Sequence, residues 1–200
     1  MFKKLVVLLT VAVGFMVLSF SNSPVHAKEN TEFVPQSPEN FFEAIKNQEN
    51  QFDLTKLEKQ EETVYDEERN KIGVVGIEPA PVPTNDKSGL QRASYDLDFG
   101  YNYWKVYWYG LTVNFWYHTK IWTDRRDGHS EIVSVYDGDY AVTPPYNVTS
   151  DTLSIINKVE TLYMPSESRY TLRMSSTYGG SWPIYLYAKT YQGTLTTGTN

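Results

Sequence analysis

The chain holds three histidines, His26, His118 and His129, and no cysteine. Without thiols there is no cysteine nucleophile, thiolate metal site or disulfide. Nucleophilic catalysis by serine would need an imidazole beside a G-x-S-x-G elbow, and the sequence has no such elbow and no H-E-x-x-H metal motif. His118 falls among Trp116, Lys120 and Trp122 on an alternating segment, and His129 falls in a polar turn. Both read as surface or interfacial rings.

The acids allow a different chemistry. Two carboxylates about 5–10 Å apart suffice to hydrolyse a glycosidic bond. Asp96 and Asp98 share one face of a segment, and Asp137 and Asp139 flank Gly138. Aspartate at turns, however, ordinarily hydrogen-bonds neighbouring backbone, which is the structural reading of both pairs. Turn oxygens also suit calcium. Asp124-x-x-Asp127-Gly128 and Asp137-Gly138-Asp139 could supply some, but neither follows the EF-hand spacing. No metal and no cofactor is assigned.

The feature that stands out is a second face on the alternating segments. One set, Trp104, Val106, Trp108, Val113, Phe115, Ile184, Leu186 and Ala188, reads as core. The opposite set is Tyr103, Lys105, Tyr107, Tyr109, Trp116, His118, Lys120, Trp122, Tyr185, Tyr187, Lys189 and Tyr191. Wide rings with polar tips suit strands intrinsically, and cross-strand aromatic pairs stabilise a sheet by ~0.2–1 kcal/mol each. Sheet stabilisation is therefore one reading of this set, and cover by an N-terminal helix is another. The functional reading is a recognition surface, because such rings offer rigid contact area at low entropic cost.

The elements that must position these residues follow from the pattern. Ser37-Pro38-Glu39 reads as an N-cap, a proline at the first helical position and an acid in the first turn. Phe41, Phe42 and Ile45 then share a face, which predicts a short helix near 38–49 within an acidic arm at 28–51. Glu61–Glu67 and Lys71–Ile77 predict strands around a turn at Glu68-Arg69-Asn70, and prolines 79, 81 and 83 make 79–92 a long loop. Tyr101–Tyr109, Leu111–Thr123, Glu131–Tyr136, Thr152–Tyr163, Tyr170–Thr177 and Ile184–Tyr191 alternate with period two, with a turn or bulge at Asp137-Gly138-Asp139. The acceptor triplet Asn147-Val148-Thr149 reads as a loop. Seven or eight strands with no long helix predict an all-β domain at 52–200, a two-layer antiparallel β-sandwich or small barrel with a short N-terminal helical arm.

Lys3 and Lys4, an apolar run from Leu5 to Phe20 and the small-residue site Val25-His26-Ala27 form the three parts of a secretory signal peptide, which predicts cleavage after residue 27 and a released mature chain. The apolar run is shorter than the ~20 residues a spanning helix needs. Loss of Lys3 and Lys4 takes the formal charge from −6 to −8, concentrated in the N-terminal third. A pI near 5.1 argues against a nucleic-acid partner.

Phe52-Asp53-Leu54-Thr55, Tyr65-Asp66-Glu67, Ile72-Gly73-Val74-Val75-Gly76-Ile77-Glu78-Pro79 and Trp104-Lys105-Val106-Tyr107-Trp108 resemble an uncharacterised family of secreted Gram-positive bacterial proteins, over roughly residues 52–190. The resemblance implies secretion and a single β-rich domain. It implies no reaction and no site residues.

The sequence thus predicts a secreted non-enzymatic protein whose Tyr/Trp/Lys face binds cell-wall glycan or an extracellular protein. A carboxylate-dependent hydrolase of wall polysaccharide is the alternative. A membrane-active β-rich toxin ranks third, since the negative charge opposes anionic bilayers.

Overall fold

A computed structural model describes residues 49–54, 56–83, 100–124, 126 and 128–199. The expected leader at 1–27, the helix near 38–49 (apart from Glu49), Asp96, Asp98, Asp127 and most of the 79–92 loop lie outside these residues. Ten strands are formed: β1 Asn50–Asp53, β2 Gln60–Tyr65, β3 Lys71–Pro79, β4 Gly100–Gly110, β5 Val113–Thr123, β6 Ser130–Val142, β7 Tyr146–Asn157, β8 Ser166–Ser176, β9 Ser181–Tyr191 and β10 Thr194–Thr199. Asn50 and Gln51, expected at the end of the arm, open β1.

The strands build two antiparallel five-stranded sheets. The first runs β1-β10-β9-β8-β7 and the second β2-β3-β4-β5-β6. Alternation turns one side of each sheet inward to a shared core. Trp104, Val106, Trp108, Phe115 and Tyr117 come from the second sheet, and Tyr170, Leu172, Met174, Ile184 and Leu186 from the first. Phe115 and Tyr170 meet across the layers at 6.3 Å between ring centroids. A buried hydrogen bond of 2.9 Å joins the Tyr117 hydroxyl on β5 to that of Ser168 on β8. A phenol buried without such a partner would cost ~1–3 kcal/mol.

Local chemistry sets the connections. Between β2 and β3 the Asp66 carboxylate accepts the Asn70 N–H at 2.7 Å, and Arg69 takes φ 67°. Between β9 and β10, Gln192 (φ 49°) and Gly193 (φ 75°) form a two-residue hairpin turn with both central residues left-handed. Asp137-Gly138-Asp139 is a bulge inside β6. His118 pairs with Tyr136 and Trp116 with Asp139, so two residues of β6 oppose Tyr117.

Two sequence expectations need correction. The strand expected at Thr152–Tyr163 lies earlier, at Tyr146–Asn157, so Asn147-Val148-Thr149 belongs to β7 and not to a loop. Residues 158–160 leave the first sheet and pair with the start of β6, through Ile132 N–H to Lys158 C=O at 2.9 Å and Glu160 N–H to Ser130 C=O at 3.2 Å. The Thr/Gly-rich β10, which carries no hydrophobic alternation, was also not foreseen.

Candidate functional site

The expected recognition face is two faces. β4 and β5 lie in the second sheet and β9 in the first, so their outward side chains sit on opposite outer surfaces of the layered core. Tyr103, Lys105, Tyr107, Tyr109, Trp116, His118, Lys120 and Trp122 share one. Tyr185, Tyr187, Lys189 and Tyr191 share the other.

On the second sheet the rings and cations interlock. Tyr107 pairs with Trp116, Lys105 with His118, and Tyr103 with Lys120. Tyr107, read from the sequence as an exposed ring, is 0% exposed. It lies across from Gly76 of β3, where a side chain would collide with it: a Cβ on Gly76 would sit 2.5 Å from the phenol oxygen. Its hydroxyl donates to Glu61 at 3.0 Å and its ring stacks on Tyr109 at 4.8 Å. Burial, reinforced by Glu61, pushes the phenol well above its ordinary range.

Lys105 stands 5.4 Å from the Trp116 ring and 5.6 Å from that of Tyr109, and it bonds Glu78 at 3.1 Å and the Tyr109 hydroxyl at 2.9 Å. Burial alone would lower this ammonium, but Tyr109 and Glu78 outweigh it and hold the group above its usual value. Lys120, also expected to be accessible, is 5% exposed under Tyr101 and Tyr103. His118 stacks on Tyr136 at 5.4 Å, and burial, opposed by Asp137, lowers its pKa. That favours a neutral stacking ring. Tyr101 and Tyr109 remain exposed, while Tyr103, Trp116 and Trp122 are half-buried. This face is largely self-satisfied.

The first sheet is more open. Its outer surface carries a depression of about 390 Å³ lined by Glu167, Arg169, Tyr185 and Tyr187. A second of about 380 Å³ is lined by Leu162, Tyr163, Pro165 and Tyr191. Glu49 and Lys189 line both, so the two adjoin as one elongated groove. Arg169 bonds Glu167 at 2.6 Å and lies over Tyr185 at 4.3 Å. Lys189 reaches Glu49 at 3.5 Å and lies over Tyr187 at 4.5 Å. Tyr187 is itself buried, so it forms floor and not wall. Tyr191 and Tyr163 present exposed rings, and Tyr185 a half-buried one beside Arg169.

Glu49, Glu167, Arg169 and Tyr163 were not singled out from the sequence. Glu167 and Arg169 fall before the strand expected at Tyr170–Thr177, because β8 opens earlier, at Ser166. Tyr163 was hidden by the misplaced seventh strand, which made it a strand residue and not a loop tip.

Of the acidic pairs, Asp96 and Asp98 lie outside the described residues. Asp137 and Asp139 are exposed on the β6 bulge, and Asp139 accepts its neighbour's N–H, from Tyr140, at 2.8 Å. Lys59 and Tyr107 hold the Glu61 carboxyl below its usual range, opposite to what a general acid requires. Asp124 accepts the Arg126 N–H at 2.9 Å, a local turn bond. No cluster of three or more metal-ligating side chains occurs among the described residues. None of their helices is long and apolar enough to cross a membrane.

Fold and site together define an all-β protein of two five-stranded sheets with a tyrosine-lined groove on one outer surface. No family model matches the chain, and no curated protein matches it. Among solved structures it is similar to a hypothetical protein of Listeria monocytogenes EGD-e, with 26% identity, coverage of 74% of this chain and 99% of that chain, and a TM-score of 0.45.

Proposed function

We propose that this is a secreted, non-enzymatic binding protein whose groove on the first sheet takes cell-wall glycan. The observation that carries the reading is the elongated groove, in which accessible tyrosine rings alternate with carboxylate, ammonium, guanidinium and hydroxyl groups. Sugars offer apolar C–H faces that stack on such rings and hydroxyls that bond such polar groups. The leader pattern at 1–27 supports export, and amino-terminal sequencing of the exported protein would then begin at Lys28.

The test is pull-down of the mature protein on protein-free wall glycan. Tyr185→Ala with Tyr191→Ala should reduce retention at least tenfold while the circular-dichroism melt stays cooperative. Tyr109→Ala, on the opposite surface, should leave retention unchanged. Retention lost only in the Tyr109 variant would move the site to the second sheet. Retention only on wall carrying its proteins would replace glycan with an extracellular protein as the partner.

A further inference from the structure

One end of the groove differs from the rest. Leu162, Tyr163 and Met164 follow one another at the tip of the 158–165 loop and are 81%, 92% and 56% exposed. Single exposed apolar residues are ordinary, but three consecutive large ones mark a contact surface. The tip is fixed in place. Thr161 N–H donates to Met164 C=O at 2.8 Å, Met164 N–H to the Thr161 hydroxyl at 3.1 Å, Asn157 to Pro165 C=O at 2.6 Å, and the Tyr191 hydroxyl to Leu162 C=O at 3.2 Å. A loop held this way cannot fold its apolar side chains back onto the sheet, so their exposure is built in. Leu162 and Tyr163 also line the groove, so polar trough and apolar tip are continuous.

The trough has a second property. Its two carboxylates, Glu49 and Glu167, each hold one of its two cations, Lys189 and Arg169. The charges balance, two of each sign. The field matches an uncharged head group.

We infer that the groove's ligand is a neutral glycolipid, an uncharged sugar head on a diacyl anchor, with the sugar in the trough and Leu162, Tyr163 and Met164 in the lipid interface. This rests on the glycan reading of the groove and specifies the class of glycan. Tyrosine suits the head-group boundary, while leucine and methionine suit the acyl region just below it. A purely water-borne polysaccharide would give the apolar tip nothing to contact.

The experiment is co-sedimentation of the mature protein with three vesicle types: phosphatidylcholine alone, phosphatidylcholine with digalactosyl diacylglycerol, and phosphatidylcholine with phosphatidylglycerol. The expected result is at least tenfold more protein on the galactolipid vesicles than on either of the others. Leu162→Ser, Tyr163→Ser and Met164→Ser combined should remove that excess, and Met164→Ser alone, at the tip residue outside the groove lining, should reduce it yet leave retention on wall glycan intact. The variant changes exposed side chains only, and a cooperative melt checks its fold. Equal sedimentation of wild type and loop variant on galactolipid overturns the inference, as does equal or stronger binding to phosphatidylcholine alone or to the anionic vesicles. Wall-glycan retention without any vesicle binding sinks the lipid inference while sparing the groove. Unchanged binding of Tyr185→Ala with Tyr191→Ala to both materials sinks the groove itself.

Discussion

Raising the pH should unfold this protein abruptly, and the structure says where. Tyr107, Tyr117, Tyr170 and Tyr187 are all buried, and burial chiefly pushes each phenol far above its ordinary value, with Glu61, Asp151 and Glu49 adding to the rise at Tyr107, Tyr170 and Tyr187 and the Ser168 hydroxyl partly offsetting it at Tyr117. In the unfolded chain the same groups ionise near pH ~10. A folded pKa above the unfolded one means the native state holds the proton more tightly. Its contribution is therefore complete below pH ~10 and is lost as pH rises beyond that. Each such tyrosine removes ~1.4 kcal/mol of stability per pH unit. Four acting together remove ~5–6 kcal/mol at pH ~11 and about twice that at pH ~12. Set against a total stability of ~5–15 kcal/mol for a domain, unfolding should fall between pH ~11 and ~12.5. Lys105, held above its usual value in the folded state, acts in the same direction.

The assay is absorbance at 295 nm, which reports tyrosinate, followed beside near-ultraviolet circular dichroism. The four buried phenols should ionise in one steep step that coincides with loss of the aromatic signal. Tyr117→Phe sharpens the test by removing one titrating group. Relative to wild type it should be less stable at pH 7, where the Ser168 bond is lost, and should recover ~1.4 kcal/mol of that difference by pH ~11. A single smooth titration of all tyrosines with the aromatic signal intact would refute the reasoning, because it would mean these phenols ionise inside the native fold.

Other consequences are local. Gly76→Ala should lower stability by ~1–3 kcal/mol in urea titration, because its Cβ would meet the Tyr107 hydroxyl at 2.5 Å and the Gln60 backbone oxygen at 2.6 Å; no change would mean Tyr107 is not seated there. Tyr107→Ala should cost ~3–5 kcal/mol yet spare glycan retention at temperatures where it stays folded, separating a packing ring from a binding one. Glu160→Ala should cost ~1–3 kcal/mol, since this buried carboxylate accepts the Gln192 N–H at 3.2 Å and lies 3.5 Å from His129 Nδ1. Glu160→Gln, which keeps an acceptor, should recover most of that loss in the same urea titration.

Period-two patterning made β3, β4, β5, β8 and β9 legible, because each has one apolar side and one polar side that a sheet must separate. Alternation fixes in against out and nothing more. It cannot say which sheet a strand joins, so rings on β4, β5 and β9 looked like one surface. Sheet membership is decided by the β6-to-β7 connection, where the chain passes from the second sheet to the first. Val159, Leu162 and Tyr163 mimicked the end of a strand, and only pairing of residues 158–160 with β6 shows them to be a crossing and a tip. β10 failed for the opposite reason: Thr-Leu-Thr-Thr-Gly-Thr has one large apolar residue, Leu195, and earns its place by pairing between β1 and β9.

The two outer surfaces show why composition could not assign the role of a tyrosine. On the second sheet a glycine stands across from Tyr107, so the ring drops into the vacant side-chain position and its hydroxyl finds Glu61. Lys105 then closes over it and is itself held by Glu78 and Tyr109. These polar tips have found internal partners, and a ligand that took them would have to break that set. On the first sheet Glu167 and Glu49 neutralise the cations along a trough that stays open, and Tyr185, Tyr191 and Tyr163 keep ring surface turned to solvent. Affinity comes from contacts that the free protein does not already make. By that criterion we propose the groove with fewer rings, and not the more aromatic sheet, as the surface with binding energy still to give.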